Sequence, residues 1–308
     1  MLQYSTIVLH QMLIMFLLMA VGYLVFRRGI LDNHTTKQVS VLLNTVVVPC
    51  NILNSFNRAY DGALAHSLAL TFLAAIVIFL LSIALVNALY RPGKRKNYGD
   101  CRLCALLSNN GFMALPLLSA LFGDTGVFLG AAHIVVMTVI LWVYGVRQVS
   151  PGRPFSARAI FLNPGVVAAA LGLGLFLLPV SLPADLSGAI AHIANLNTPL
   201  AMLILGGYLA QVDLRACFSD ARLWRISAVR LLVIPAMSIV VLLLLPLDPM
   251  AKLTVLVGSA APSAVVAAMF AQMYDTDYLF STRVVALTSL LSIVTLPAVI
   301  ALMSFLLA

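Results

Sequence analysis

The chain has 308 residues, of which 62% are hydrophobic and only 9% charged, and its mean hydropathy is +1.07. Soluble domains carry about a quarter charged residues, so these proportions exclude a water-soluble enzyme or binding module and specify an integral membrane protein. The net charge of +8 is concentrated in alternate loops, where it sets orientation rather than a nucleic-acid surface.

Taken in chain order, apolar runs predict ten spans, at 2–26, 39–56, 63–89, 101–122, 127–149, 160–178, 190–212, 226–245, 253–273 and 279–307. Each run is near the length that crosses about 30 Å of hydrocarbon as helix. Their hydrophobicity does not alternate, which excludes a β-barrel. The first run has no basic residue ahead of it and continues to Arg27 and Arg28, the pattern of a first span rather than a cleaved signal peptide. No predicted loop is long enough to hold a soluble domain.

Loops after odd-numbered spans carry Arg27, Arg28 and Lys37, then Arg91, Lys94, Arg95, Lys96 and Arg102. They continue with Arg147, Arg153 and Arg158, then Arg215, Arg222, Arg225 and Arg230, and finally Arg283. These are sixteen of the 18 basic residues; the opposite side receives only Arg58 and Lys252. The rich side is cytoplasmic by the positive-inside rule, so both termini are expected outside a multi-pass cell (inner) membrane protein. Of the cysteines Cys50, Cys101, Cys104 and Cys217, two form a C-x-x-C without the second pair a zinc site needs. They read as ordinary small helix residues.

A shift of about 150 residues, half the chain as in inverted-repeat transporters, superposes weak matches in order. Gly22 and Phe26 fall on Gly172 and Phe176, Asn44-Thr45 falls near Asn197-Thr198, and Asp124-Thr125 falls on Asp275-Thr276. The fold class expected is an all-α polytopic membrane protein of two five-helix repeats, 1–150 and 151–308. Five is odd, so the second copy enters the membrane inverted.

The fourth span contains "SNNGFMALP", Ser108 to Pro116, and the ninth contains "GSAAPSAVV" around Pro262. Both lie near the midplane at 1.5 Å rise per residue. A proline removes a donor and clashes with the carbonyl four residues back, which would free those of Phe112 and Gly258. Gly111 and Gly258 add permissive backbone beside the expected breaks at Pro116 and Pro262. Irregular backbone at this depth must be buried or line a polar cavity. Pro49, Pro199, Pro235 and Pro297 also lie in or near spans, so proline alone is a structural feature. The polar trio Ser108, Asn109 and Asn110 sets the fourth span apart, either as a substrate site or as interhelical hydrogen-bonding glue. Ser259 and Ser263 are open to the same two readings, since serine also bonds back to its own helix.

The stretch "NNGFMALPLLSALFG" (109–123) resembles the fourth helix of the auxin efflux carrier, or PIN-like, family, with Asn109, Met113, Pro116 and Leu117-Leu118 at the family spacing. "AAPSAVVAAMFAQMYDTDYLFST" resembles the ninth, through Pro262, Phe270, Ala271, Tyr274, Ser281 and Thr282. Asn163-Pro164, Arg230 with Pro235, and Leu296-Pro297 agree, so the resemblance spans nearly the whole chain. It implies that helices 4 and 9 cross at their prolines. Helices 1, 2, 6 and 7 would form a dimerising scaffold, and helices 3–5 and 8–10 an elevator-like transport unit. Substrates would be small organic anions, auxin-like acids or dicarboxylates such as malonate. Asn109 corresponds to the family's carboxylate-binding asparagine, and the ninth-helix backbone contacts fall on Ala261, Pro262 and Ser263. The long cytoplasmic segment of the plant carriers is replaced by the short 147–158 stretch, which looks bacterial.

All ten acidic residues are aspartates in loops or at helix ends, so no membrane carboxylate is expected as a proton relay. His133 reads as a packing residue, with a switch as the alternative. Arg230 either snorkels to the cytoplasmic surface or pairs with a helix end. The reading that follows is uniport by a homodimer, with no cofactor, metal or catalytic residue. The alternatives are a sodium- or proton-coupled symporter of the bile-acid type and an intramembrane enzyme. The first would need acidic ion ligands, and the second an aligned nucleophile and base or clustered metal ligands.

Overall fold

The computed structural model describes residues 2–93, 97–150, 152, 156–178 and 182–307, with side chains from Thr6 onward. Lys94, Arg95, Lys96 and Arg153 of the charge pattern lie outside the described residues. The regular structure is helical: α1 (Leu2–Arg27), α2 (Asn33–Phe56), α3 (Gly62–Leu89), α4 (Tyr98–Leu106), α5 (Asn110–Val149) and α6 (Pro164–Leu177). There follow α7 (Ala184–Ala210), α8 (Ala221–Leu244), α9 (Pro249–Ala260), α10 (Val265–Met273) and α11 (Tyr278–Leu306). Among the described residues 7 helices (α1, α2, α3, α5, α7, α8 and α11) are long and apolar enough to cross a bilayer, which makes this a multi-pass membrane protein. α6 is apolar but has 14 residues. The fourth and ninth predicted spans are each divided, α4 from α5 and α9 from α10. α5 then turns at Gly123 (φ 59°) and runs back through the predicted fifth span. That left-handed turn is cheap for glycine. The corresponding turn before α11 uses Asp275 (φ 55°), one of the residue types that tolerate it.

Six of the ten aspartates have a local role. Asp32, Asp61, Asp213, Asp220, Asp248 and Asp277 each cap a helix, their carboxylates accepting backbone N–H groups of the first turn. The short side chain reaches those amides, and a negative charge suits the helix N-terminus. Asn163 caps α6 in the same way, ahead of Pro164.

Three intramembrane prolines share one device. The amides of Val48, Leu115 and Ile234 donate five residues back, to Leu43, Asn110 and Val229, and the next residue in each case is Pro49, Pro116 or Pro235. The wider turn gives the ring room without ending the helix, a local adjustment that lets membrane helices carry proline.

Helices pack through small residues, as expected where lipid supplies no hydrophobic driving force. A Cβ on Gly22 of α1 would lie 2.3 Å from Leu203 O, and one on Gly206 of α7 2.1 Å from Met19 O. α6 meets α2 likewise, where a Cβ on Gly172 would lie 2.9 Å from the Phe56 side chain. Phe128 fills the junction of these helices with α5, its ring 4.4 Å from Phe56 and 5.0 Å from Phe176.

Candidate functional site

α4 ends at Leu106 and α9 at Ala260, and the extended segments that follow cross each other. Asn109 N–H donates to Pro262 O at 2.8 Å, and Ala264 N–H donates to Leu107 O at 2.9 Å. Ser108 and Ser263 face each other between these bonds as a one-residue antiparallel bridge. In such a pair the flanking residues exchange the hydrogen bonds and the opposed side chains approach closely. Each break therefore satisfies the other's backbone, which is what allows both to exist at this depth.

The breaks do not fall where all the sequence markers place them. Pro262 lies within its break, but Pro116 does not: helix runs unbroken from Asn110 through Pro116, and the chain is extended upstream at Leu107–Asn109. The freed carbonyl that the structure pairs is that of Gly111, rather than Phe112. Because the turn is of the five-residue type, Pro116 would donate to Gly111 O had it an N–H; Asn197 Nδ2 donates there instead, at 3.3 Å. Gly111 has helical backbone, and a Cβ there would meet the Val48 side chain at an ordinary contact distance of 3.5 Å. Gly258 is also helical, inside α9, and its lack of a side chain serves packing: a Cβ there would lie 2.9 Å from the His133 ring.

Arg230 enters from α8 and is 1% exposed. Its Nε donates to Ala261 O at 2.9 Å, its Nη1 to Ala105 O at 3.3 Å and Leu106 O at 3.0 Å, and its Nη2 to Ser259 O. These carbonyls close α4 and α9, whose C-terminal ends are partly negative. One guanidinium fork thus ties two half-helix ends together, the helix-end alternative of the sequence reading. Among the described residues the ion pair is Arg222–Asp220, and no carboxylate accompanies Arg230. A buried positive charge consequently stands behind the crossover, a site that composition alone would leave neutral.

His133, on the returning arm of α5, is 2% exposed and stacks on Phe79 at 4.9 Å. Its Nε2 lies 3.5 Å from Ser108 Oγ, and its Nδ1 has no partner among the described residues. Asn110 Nδ2 donates to Met137 Sδ at 3.3 Å, and Ser108 Oγ also lies 3.3 Å from Asn110 Oδ1. Ser108 and Asn110 therefore face the returning arm of α5.

The structure brings the six expected binding residues together but leaves them unequally available. Ala261 O is held by Arg230, Pro262 O by Asn109 N–H, Ser263 N–H by Thr288 Oγ1 at 3.2 Å, and Ser263 Oγ donates to Cys104 O at 2.6 Å. Asn109 is the exception: its Nδ2 is buried without an acceptor among the described residues. Among the described residues the N–H groups of Gly111 and Phe112, opening α5, and of Val265 and Val266, opening α10, also meet no backbone acceptor. These are the orphan donors of two helix N-termini, so the open backbone donors lie downstream of Ser263. Asn197 Oδ1, from α7, is a further buried atom without a partner. The void at the back of the crossover, lined by Ser82, Ser108, His133, Arg230 and Ser259, has only ≈ 10 Å³. The crossover is thus closed in this conformation, and larger clefts lie toward the helix ends.

Sequence reasoning gave Arg230 two fates and His133 a packing role, and did not place Asn197 or Thr288 at the crossover. A lone arginine within an apolar run was signal enough for the first. For Asn197, the signals were its polarity beside Pro199 and its place near Asn44 in the half-chain shift.

The geometry agrees with what the chain is similar to. A family model described as a membrane transport protein matches it twice, over residues 7–156 and 153–300. An uncharacterized transporter of Methanothermobacter thermautotrophicus is 25% identical over 291 residues, covering 91% of this chain and 93% of that protein. Another, of Methanocaldococcus jannaschii, is 25% identical over 282 residues, covering 86% and 89%.

Proposed function

Because this chain belongs to the membrane transport protein family, we propose that it is a transporter that carries small organic anions by alternating access at the crossover. The observation that carries this reading is the pairing of Leu107–Asn109 with Ala261–Ala264, which aims two helix N-termini and the unpartnered Asn109 amide into one region. Positive dipole ends and free N–H groups favour an anion, and Arg230 adds a full charge behind them. A carboxylate would accept from Asn109 Nδ2 and from the open amides of α5 and α10. Hydrogen bonds to neutral donors hold it without sealing it in an ion pair, so it can be released on the far side.

We read the helices as ten spans in two inverted halves. Support comes from the two successive family matches and from packing. Gly22 and Gly172, which superpose in the sequence shift, both admit a neighbouring helix at close range, α7 against α1 and α2 against α6. Those two pairs exchange under a shift of five spans. In this reading α1, α2, α6 and α7 form a scaffold that dimerises, and α3–α5 with α8–α11 move as an elevator in the inner membrane, termini outward. A crevice of ≈ 460 Å³ between Lys37 and Gln211 on one side and Gln272 and Thr282 on the other runs along that boundary at the basic ends of the helices. It supports a parting of the two units at these ends while the crossover itself stays closed.

The test is current on a solid-supported membrane bearing the purified protein, challenged with malonate, other short dicarboxylates and aromatic carboxylates. Uniport gives a substrate-dependent current without sodium or a pH gradient. Silence for every anion under all gradients would sink the substrate class. His133, with Nε2 beside Ser108 and Nδ1 unpartnered among the described residues, favours proton coupling as the second reading; transport that needs an inward pH gradient and loses that need in His133→Gln would select it.

A further inference from the structure

At the basic ends of the helices, α3 and α8 part around a cleft of ≈ 410 Å³, away from the crossover. Leu89 and Val229 line it deeper in the membrane, and Tyr90, Arg91, Tyr98 and Arg225 line its mouth. The arrangement follows from chain position. Arg91 lies just past the end of α3, and Arg225 is one turn closer than Val229 to the start of α8, so each cation stands toward the helix end from the apolar residue its own helix gives the cleft. Both arginines are exposed, and neither takes part in an ion pair among the described residues.

The wall between them is ordered by Arg102. Its Nε donates to Tyr90 O at 2.8 Å, its Nη1 donates to Gln148 Oε1 at 2.6 Å, and its guanidinium lies 5.2 Å from the Tyr98 ring centre. The Tyr90 carbonyl, which would repel an anion, is thereby occupied. The cleft is graded from charge through aromatic edge to hydrocarbon over its depth. That order matches one half of a bilayer, with tyrosines at headgroup level and basic residues on the cytoplasmic side.

We propose that this cleft binds an anionic phospholipid, the headgroup phosphate between Arg91 and Arg225 and an acyl chain along Leu89 and Val229. Arginine stems extend along apolar surface while their heads reach the interface, and guanidinium forks match phosphate oxygens. A zwitterionic lipid fills the same volume but carries a choline that two arginines repel. Each basic residue near an anionic headgroup contributes roughly fivefold in affinity. The assignment is independent of what the carrier transports.

The deciding experiment is native mass spectrometry of the full-length protein equilibrated with equal amounts of phosphatidylglycerol and phosphatidylcholine. The expected result is retention of phosphatidylglycerol by roughly 25-fold, the product of two such contributions, falling to near parity in Arg91→Gln/Arg225→Gln and largely kept in Arg91→Lys/Arg225→Lys. No preference in the parent, or one unchanged in the glutamine pair, overturns the proposal. Excess glycerol 3-phosphate should leave the ratio unaltered; displacement by it would assign the cleft to a soluble phosphate ester instead. Should the glutamine pair fail to fold, Arg225→Gln alone, expected to lose roughly fivefold, decides the same question.

Discussion

The two helix breaks that meet at Ser108 and Ser263 are made from different residues. The ninth-helix break contains Pro262, whose ring stops α9 and whose carbonyl is the acceptor for Asn109. The fourth-helix break contains no proline; Leu107, Ser108 and Asn109 could all continue a helix, and Pro116 lies beyond them in regular helix. One break is thus imposed by covalent structure, and the other is held open by its partner and by Arg230. The difference teaches that the crossover is a cooperative unit, which should respond to loss of its shared fastening far more than to loss of either proline.

Arg230 is that fastening, and its removal carries the largest expected effect. Arg230→Met would strip donors from Ala105, Leu106, Ser259 and Ala261. At about 1–3 kcal/mol for each of the four buried acceptors left unmet, the loss is on the order of the whole stability of a typical domain, about 5–15 kcal/mol. The variant should fail to accumulate in the membrane or unfold well below the parent in detergent. An Arg230→Met protein with the parent's melting temperature would mean the breaks hold themselves apart. Arg230→Lys keeps charge but has a single nitrogen to offer, and should fall between.

Asn109→Ala probes the open side of the same unit. Its Nδ2 meets no protein acceptor, so folding should be unharmed while anion affinity falls. A hydrogen bond to a charged group contributes about 1.5–3 kcal/mol, which corresponds to roughly ten- to a hundredfold in binding. Equal affinity in isothermal titration would remove Asn109 from the site and leave only backbone donors.

Gly258→Ala tests whether glycine in α9 serves the break or its neighbour. The added methyl would sit 2.9 Å from the His133 ring, and overpacking of a rigid contact costs about 1–3 kcal/mol. The destabilisation should be relieved by His133→Ala in the double variant, read as melting temperature. If His133→Ala gives no relief, the glycine is needed by the backbone after all.

The membrane class, the polar stretch and the family resemblance were legible because each rests on composition or local spacing. The positions of the breaks were not. Proline marks where helix is difficult, but the five-residue turn at Asn110–Ala114 absorbs Pro116, and Pro49 and Pro235 are absorbed in the same way. Leu107 and Ser108 are extended because a segment more than 150 residues away pairs with them, and no local pattern carries that. The same limit applies to Gly258, whose neighbour His133 comes from another helix. Arg230 was visible as an anomaly, while its four acceptors required the crossover itself.

The smallest effect separates the two prolines directly. In Pro116→Ala the new amide could donate to Gly111 O, competing with Asn197 Nδ2 for one carbonyl, while the surrounding helix keeps its course. Stability should change by less than about 1 kcal/mol, the net scale of one exchanged hydrogen bond, and turnover only slightly. Pro262→Ala removes the covalent stop from the ninth-helix break, so α9 could extend toward α10 only by withdrawing Pro262 O and Ala264 N–H from Asn109 and Leu107. Its transport rate should fall several-fold more than that of Pro116→Ala. Equal rates in the two alanine variants would mean that cross-pairing and Arg230 hold both breaks without help from proline. A larger loss in Pro116→Ala would instead place the functional hinge in the wide turn where Asn197 of α7 contacts the crossover.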